Sequence, residues 1–401
     1  MAEAFISRRG GGDGYSTVKF ENYGTGSTLS KGTATSLSTA RHNLAATTVG
    51  NYALFGGGLN NSNLSSTVDA YNSSLTRSTP TSLSQSTCWL AATTIGSYAL
   101  FGGGYSKSSV VDAYNSSLTR STPTALSVGR LELAATTVGN YALFGGGYDN
   151  SSSWYSTVDS YNSSLTRSTP TALSIARKAL VATTVGDYAL FGGGSGAKQT
   201  TGSTTIYPSY STVDTYNSSL TKSTATSLSN SGSGLAATTV GNYALFGGES
   251  ITVDTYNSSI TKSTATDLSV KRSYLAATTV GSYALFGGGN NSGTDQPNVD
   301  AYNSSLTRST ASSLSTARHN LAATTVGNYA LFGGGYNGSS SYSTVDYYKY
   351  NANDKTLYIY KDAKYKFQNM DSEQTYSGTM GTITVPTPAT GYIKFKNTTI
   401  S

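Results

Sequence analysis

One feature constrains this chain more than any other: an internal period whose length variation is confined to a single place. The string LFGG recurs seven times, with its Phe at 55, 101, 144, 191, 246, 286 and 332. V-D-x-Y follows each time, with its Val at 68, 111, 158, 213, 253, 299 and 345. The Phe-to-Phe spacings are 46, 43, 47, 55, 40 and 46 residues. The segment between the third residue after Phe and the Val is 9, 6, 10, 18, 3 and 9 residues long in the first six copies, and removing it leaves 37 in every copy. A constant frame with one elastic loop marks a repeat architecture, in which each copy buries its apolar face against its neighbours.

The frame reads as four short strands per copy. In the first copy they are expected at 44–49 (strand A), 52–55 (B), 67–71 (C) and 75–83 (D). Val, Thr, Tyr and Leu fill the strands, while Gly50-Asn51, Gly56-Gly57-Gly58 and Asn72-Ser73-Ser74 mark the turns. Four strands in about 40–50 residues, repeated radially, predict an all-β fold, a β-propeller. The glycines after Phe permit positive φ and close backbone approach.

This pattern resembles the kelch repeat: an apolar strand ending in Gly-Gly, a loop, then a Tyr on the third strand. The resemblance covers roughly residues 16–350 and implies a seven-bladed propeller. It departs from the kelch pattern on the fourth strand, where a Trp is usual and Ser78, Ser121 and Ser168 stand here. Residues 16–41 look like a degenerate C–D pair, and 343–350 look like another strand C. The ring is therefore expected to close through strands from both termini, with two candidates for the closing strand C. Residues 1–15 read as a flexible lead, and 351–401, outside the period, as a small β-rich appendage.

Composition removes other classes. Only 11% of residues are charged, against roughly 25% in ordinary soluble proteins. One Cys excludes an intramolecular disulfide and a Cys-cluster zinc site. No run approaches the 18 or so apolar residues of a spanning helix, so membrane insertion is not expected. Residues 1–12 show no apolar h-region, so no secretory leader is expected. A formal charge of +6 over 401 residues gives no reason to expect a nucleic-acid partner.

In a four-stranded meander the A–B and C–D turns share one end, and the B–C and D–A loops share the other. The first pair is nearly constant among the copies, whereas the B–C loop varies in length and the D–A junction in identity. A rigid sheet frame presenting loops that differ has the layout of a recognition surface. Candidate ligand-binding residues in the D–A junctions are His42, Asn43, Trp89, Glu132, Lys178, Tyr274, His319 and Asn320. In the B–C loops they are Tyr105, Tyr148, Trp154, Tyr207, Tyr210, Asn290, Asp295 and Tyr336. Tyr, Ser, Asn and Gly loops of this kind resemble antibody paratopes, and both Trp residues of the chain lie in the variable segments.

Several repeated residues read as structural. An Arg three residues before the strand A Leu in five copies (Arg41, Arg130, Arg177, Arg272, Arg318) either pairs with backbone carbonyls or forms a basic ring at the channel mouth. Asp69 and its equivalents are expected directly opposite Arg77 and its equivalents as cross-strand ion pairs worth roughly a few tenths of a kcal/mol each. Asn-Ser-Ser is formally a glycosylation sequon, but Asn72 is better explained by its tolerance of left-handed backbone. His42, His319 and Cys88 occupy related positions, yet the two His belong to one duplicated string, so no metal and no cofactor are expected. No nucleophile–base set or phosphate loop stands out, so no catalytic residues are assigned.

The expectation is a non-catalytic binding module for a cell-surface glycan or protein receptor. Its opening, MAEAFISRRGGG, is similar to the starts of proteins encoded in phage and prophage tail regions. A virion component reaches the exterior without secretion, and its termini would then dock to other tail proteins. The alternatives are a cytoplasmic kelch-like scaffold for a protein partner and a purely structural virion protein.

Overall fold

In a computed structural model the described residues are 15–23, 28–201, 204–351, 355–360, 364–365, 374–375, 380–385 and 389–396. The lead expected at 1–15 lies outside them except for Tyr15. The chain divides into two compact units, residues 30–349 and residues 1–29 with 350–401.

The larger unit is a seven-bladed β-propeller, and no helix occurs among the described residues. In the first blade strand A is Ala45–Val49, B is Tyr52–Gly56, C is Val68–Asn72 and D is Arg77–Ser78. Their order in the sheet is the order in the chain. Strand D is shorter than expected, and the reason is proline. Blades one to three carry Pro80, Pro123 and Pro170, and there D stops after two residues. Blades four to six carry Ala225, Ala265 and Ala311 instead, and D extends to Lys222–Ala225, Lys262–Thr264 and Arg308–Ala311. The N–H of Ala265 donates to Val253 across the ladder, a bond proline cannot make.

Closure of the ring is explicit. Thr28–Ala34 forms the outermost strand of the seventh blade, beside Val345–Asn351, Tyr329–Gly333 and Ala322–Val326. The closing strand C therefore comes from the C-terminal side. The other candidate, Tyr15–Tyr23, pairs antiparallel with Ala389–Lys396 in the smaller unit. Lys31 takes the role that Arg77 has in blade one, meeting Asp346 at 3.1 Å.

Packing runs between blades rather than within them. Val49, Leu54 and Val68 of blade one cluster with Phe101 and Tyr114 of blade two, and the same set recurs from blade to blade. Phe101 and Tyr114 meet edge-on at 6.0 Å, a favourable aromatic geometry. The first glycine of each triplet makes room for this: a Cβ on Gly56 would lie 2.8 Å from the Phe101 ring. The second and third, Gly57 and Gly58, have φ of 70° and 107°. In six blades the strand C Tyr then ties its blade to the preceding one, as when Tyr71 donates to the Thr35 carbonyl at 2.7 Å, whereas the buried Tyr302 hydroxyl makes no such bond.

Around the axis, strand A presents two threonines per blade. Thr47 pairs with Thr94 of the next blade at 2.8 Å, and Thr48 with Thr324 of blade seven at 2.9 Å. The second threonine of each blade also donates to a backbone carbonyl of its neighbour, as Thr48 does to Thr325 at 2.6 Å. The channel is thus a closed hydroxyl belt.

At the constant end, the turn chemistry differs from expectation. Asn72 sits at the end of its strand, and its Oδ1 accepts the N–H groups of Ser74 and Thr76. The left-handed residue is Leu75, at φ 59°. Asn is chosen here as an acceptor for two turn amides, not for its own backbone freedom.

Candidate binding site

The D–A junction brings the chain from the outside of one blade to the axis in a few residues, and it does so the same way seven times. The residue before each strand A Leu has positive φ: 52° at Asn43, 53° at Trp89, 52° at Glu132 and at Ala179, 75° at Gly234, 55° at Tyr274 and 52° at Asn320. Six of these seven are not glycine, so each carries a strain that the surroundings must sustain. They are held by one another. The Trp89 N–H donates to the Asn43 carbonyl at 2.9 Å, Glu132 to Trp89 at 2.9 Å and Ala179 to Glu132 at 2.8 Å. Asn43 donates to Asn320, Asn320 to Tyr274 and Tyr274 to Gly234 at 2.7–3.0 Å. Backbone hydrogen bonds fix the seats, so the side chain at each seat is free to differ.

The neighbouring positions lock the B–C loops to this collar. His42 exchanges backbone hydrogen bonds with Leu59, Leu131 with Tyr148, Lys178 with Ser195 and His319 with Tyr336. Both variable segments therefore lie at one end of the ring, as the strand order requires.

Within the collar lies a cavity of about 1100 Å³, at the top of the ~300–1,000 Å³ range of small-ligand clefts. The leucines that precede strand A, such as Leu44 and Leu133, line it together with all seven seats. Above them the lining is one-sided. Among the described residues only the B–C loops of blades three and four contribute, through Tyr148, Trp154, Ser195, Lys198 and Tyr207 among others.

Nine of the sixteen residues picked from sequence line this cavity: Asn43, Trp89, Glu132, Tyr148, Trp154, Lys178, Tyr207, Tyr274 and Asn320. On the walled side the Tyr148 and Trp154 ring centroids are 5.7 Å apart and those of Trp154 and Tyr207 6.5 Å, while Tyr105 backs Trp89 at 5.9 Å. Lys178 Nζ lies 3.8 Å from the Tyr148 ring centroid and 3.2 Å from a Glu132 carboxylate oxygen. Tyr274, from blade six, reaches the same group of charges. Burial raises its hydroxyl pKa, Glu249 and Glu132 raise it further, and Lys178 opposes them. Tyr274 and Tyr207 are also the most solvent-open aromatic residues described, at 48% and 57%.

The remaining candidates do not line the cavity, although Tyr105 packs against Trp89 and His319 against Tyr274 at 6.4 Å. Asp295, His319, Tyr336 and His42 form a second cluster around blades six, seven and one. His42 stacks on Tyr336 at 4.6 Å, and His319 meets the same ring edge-on at 5.7 Å. His319 Nδ1 lies 2.7 Å from Asp295, and His42 Nδ1 2.9 Å from the Ser341 hydroxyl. Burial, and secondarily His319, holds the His42 imidazole below its ordinary pKa. Asn290 binds Asp295 at 2.7 Å. Tyr210 fits beside Gly196, where a Cβ would come within 2.5 Å of its hydroxyl. Among the described residues no group of three or more His, Cys, Asp or Glu side chains is placed to hold a metal.

The repeated arginines are core residues rather than a basic ring. Arg41, Arg130, Arg177, Arg272 and Arg318 are fully buried. Arg41 donates to Asp69 at 2.7 Å and to the Phe55 carbonyl at 3.1 Å. Asp69 is itself fully buried and its closest partner is Arg41, so the expectation of a simple cross-strand pair with Arg77 is corrected. The strand D base approaches its other oxygen, with Arg77 at 3.7 Å and Arg167 at 2.8 Å from their Asp partners. The register sets Tyr71, not Asp69, opposite Arg77, so these contacts are diagonal. Blades two and five have Thr87 and Gly232 where the others have Arg. There the Asp112 carboxyl is pushed up by burial, which the Ser84 hydrogen bonds and Arg120 counter.

Sequence reasoning missed the seats themselves as a structural class, and with them Ala179 and Gly234. The signal was present: six residue types among seven copies at one fixed offset from an invariant Leu.

No protein-family model matches the chain, and no curated protein matches it. Among solved structures it is similar to that of YjhT, with a TM-score of 0.51 and 11% identity over 64% of this chain and 93% of that one. At that identity the likeness speaks for the fold, a β-propeller.

Proposed function

We propose that this propeller is a non-catalytic binding module of kelch-like descent that recognises a cell-surface glycan through the collar and the wall of blades three and four. One observation carries the reading: a cavity of about 1100 Å³ whose lining changes from blade to blade while the backbone beneath it does not. Solvent-open aromatic rings beside amides and a charged pair suit a ligand with apolar faces and hydroxyl edges. A virion or tail location, with the terminal segments as docking elements, is part of the reading.

The test is binding of the full chain to a glycan array and to intact bacteria, beside a Trp89→Ala/Trp154→Ala double variant. Binding that the variant loses while keeping its melting temperature supports the reading. Capture of one intracellular protein, with no glycan or cell bound, replaces it with the scaffold alternative.

A further inference from the structure

Resting on that glycan reading, we infer that the collar takes one uncharged sugar residue, the terminal residue of its chain, and that the rest of the chain leaves along the wall of blades three and four. The cavity is enclosed at its base and open above on most sides. All seven seats line the base, but among the described residues no B–C loop from blades five, six, seven, one or two lines it higher up. The blade-five loop is only three residues long. A residue at the axis is surrounded, whereas anything above it meets protein on one side.

The seats are arranged for a pyranose. Trp89 and Tyr274 come from blades two and six, across the axis from one another, and offer aromatic surface to the two C–H faces of a ring. Glu132 and Lys178 lie between them on one side, and Asn43 and Asn320 on the other, facing the hydroxyl edges. Recess is provided where side chains are smallest, at Ala179 and Gly234. A Cβ on Gly234 would lie 3.2 Å from the Tyr274 ring, so glycine there is what lets Tyr274 take its position.

Charge selects the class. Glu132 and Lys178 neutralise one another at 3.2 Å, and burial pushes the Glu249 carboxyl up, toward its neutral form. Among the described residues no cation without an ion-pair partner stands at the seats themselves, Lys198 belonging to the blade-four wall, so at the seats hexoses and N-acetylhexosamines fit better than acidic sugars. The wall, with Tyr148, Trp154 and Tyr207, then supplies stacking for the following residues.

The experiment uses the full chain, methyl glycosides of neutral and acidic sugars, and the neutral oligosaccharides that bind on the array, followed by saturation-transfer NMR and calorimetry. Expected are contact with the non-reducing terminal residue and competition by its methyl glycoside. Tyr274→Ala and Glu132→Gln should weaken both ligands by ~10-fold or more, the loss of about 1.4 kcal/mol. Tyr207→Ala should weaken the oligosaccharide more than the methyl glycoside. Glu132→Gln changes little volume, so an unchanged melting temperature separates binding from folding. Array binding insensitive to the chain terminus, tighter binding of acidic sugars, or binding unaffected by both collar variants overturns the inference and leaves the glycan reading standing. No glycan bound anywhere on the array overturns both.

Discussion

The two ends of this propeller are built from the same seven repeats, yet they use left-handed backbone for opposite purposes. At the constant end Leu75 and its equivalents take φ near 60° inside a turn whose amides are held by an Asn side chain. The side chain is part of the fastening, and the sequence barely varies. At the variable end the seats take φ of 52–75°, but the fastening is backbone to backbone around the ring. Identity is then released from structural duty. Conformational strain fixed by main-chain bonds leaves the side chain open to selection for binding.

That contrast can be broken most severely in the frame. Asp300→Ala strands Arg272, which is fully buried and bonded to Asp300 at 2.7 Å. Removing one partner of such a pair should lower stability by about 3–5 kcal/mol, read as a shift in the urea midpoint. A variant as stable as the parent would show that the buried pairs are dispensable. Next in size is Gly102→Ala, whose Cβ would lie 2.9 Å from the Phe144 ring of blade three. Overpacking there should cost ~1–3 kcal/mol. Gly293→Ala, at φ 91° with nothing near its Cβ, should lose only the backbone share of that, ~1 kcal/mol.

Smaller effects sharpen the variable end. Because burial depresses His42, the unfolded chain binds more protons as pH falls below the ordinary histidine value of 6.5. Stability contributed by this group is complete above that pH and declines below it toward the depressed folded value. Melting temperatures across pH 5–8 should show a shallower acid slope for His42→Gln than for the parent. Ala179→Gly removes a Cβ from a left-handed seat and should raise stability by at most ~1 kcal/mol, the relief being offset by a freer unfolded chain. A marked loss would mean the seats are not side-chain neutral. Finally, burial pushes the Cys88 thiol up to about 12, so iodoacetamide at pH 8 should leave the folded protein unlabelled and label the unfolded one.

Much of this was legible because a repeat is its own alignment. The constant interval around LFGG and V-D-x-Y gave the blades, and the elastic segment located the variable end. Strand D was read too long because Pro80 was not weighed against Ala225, although proline's missing N–H decides where that ladder stops. Asp69 was read as the partner of Arg77 alone because strand spacing shows which bases are near but not that Arg41 reaches it as well. The lopsided wall was illegible for a different reason: loop length says how much chain is available, not which way it leans. Only the fold shows that blades three and four lean over the axis while Asn290 and Tyr336 turn toward the His42 and His319 cluster.

The seventh blade joins a strand that precedes the six other blades in the chain to strands that follow them. Thr28–Ala34 emerges from the ribosome before any complete blade exists, while its partner Val345–Asn351 follows six others. A nascent chain halted anywhere before that partner is an open arc that leaves apolar blade faces uncovered and Thr28–Ala34 without its sheet, a state prone to association with other chains. Completion of the ring is thus a length check: only a chain translated through the seventh repeat can hide both ends of its sheet array.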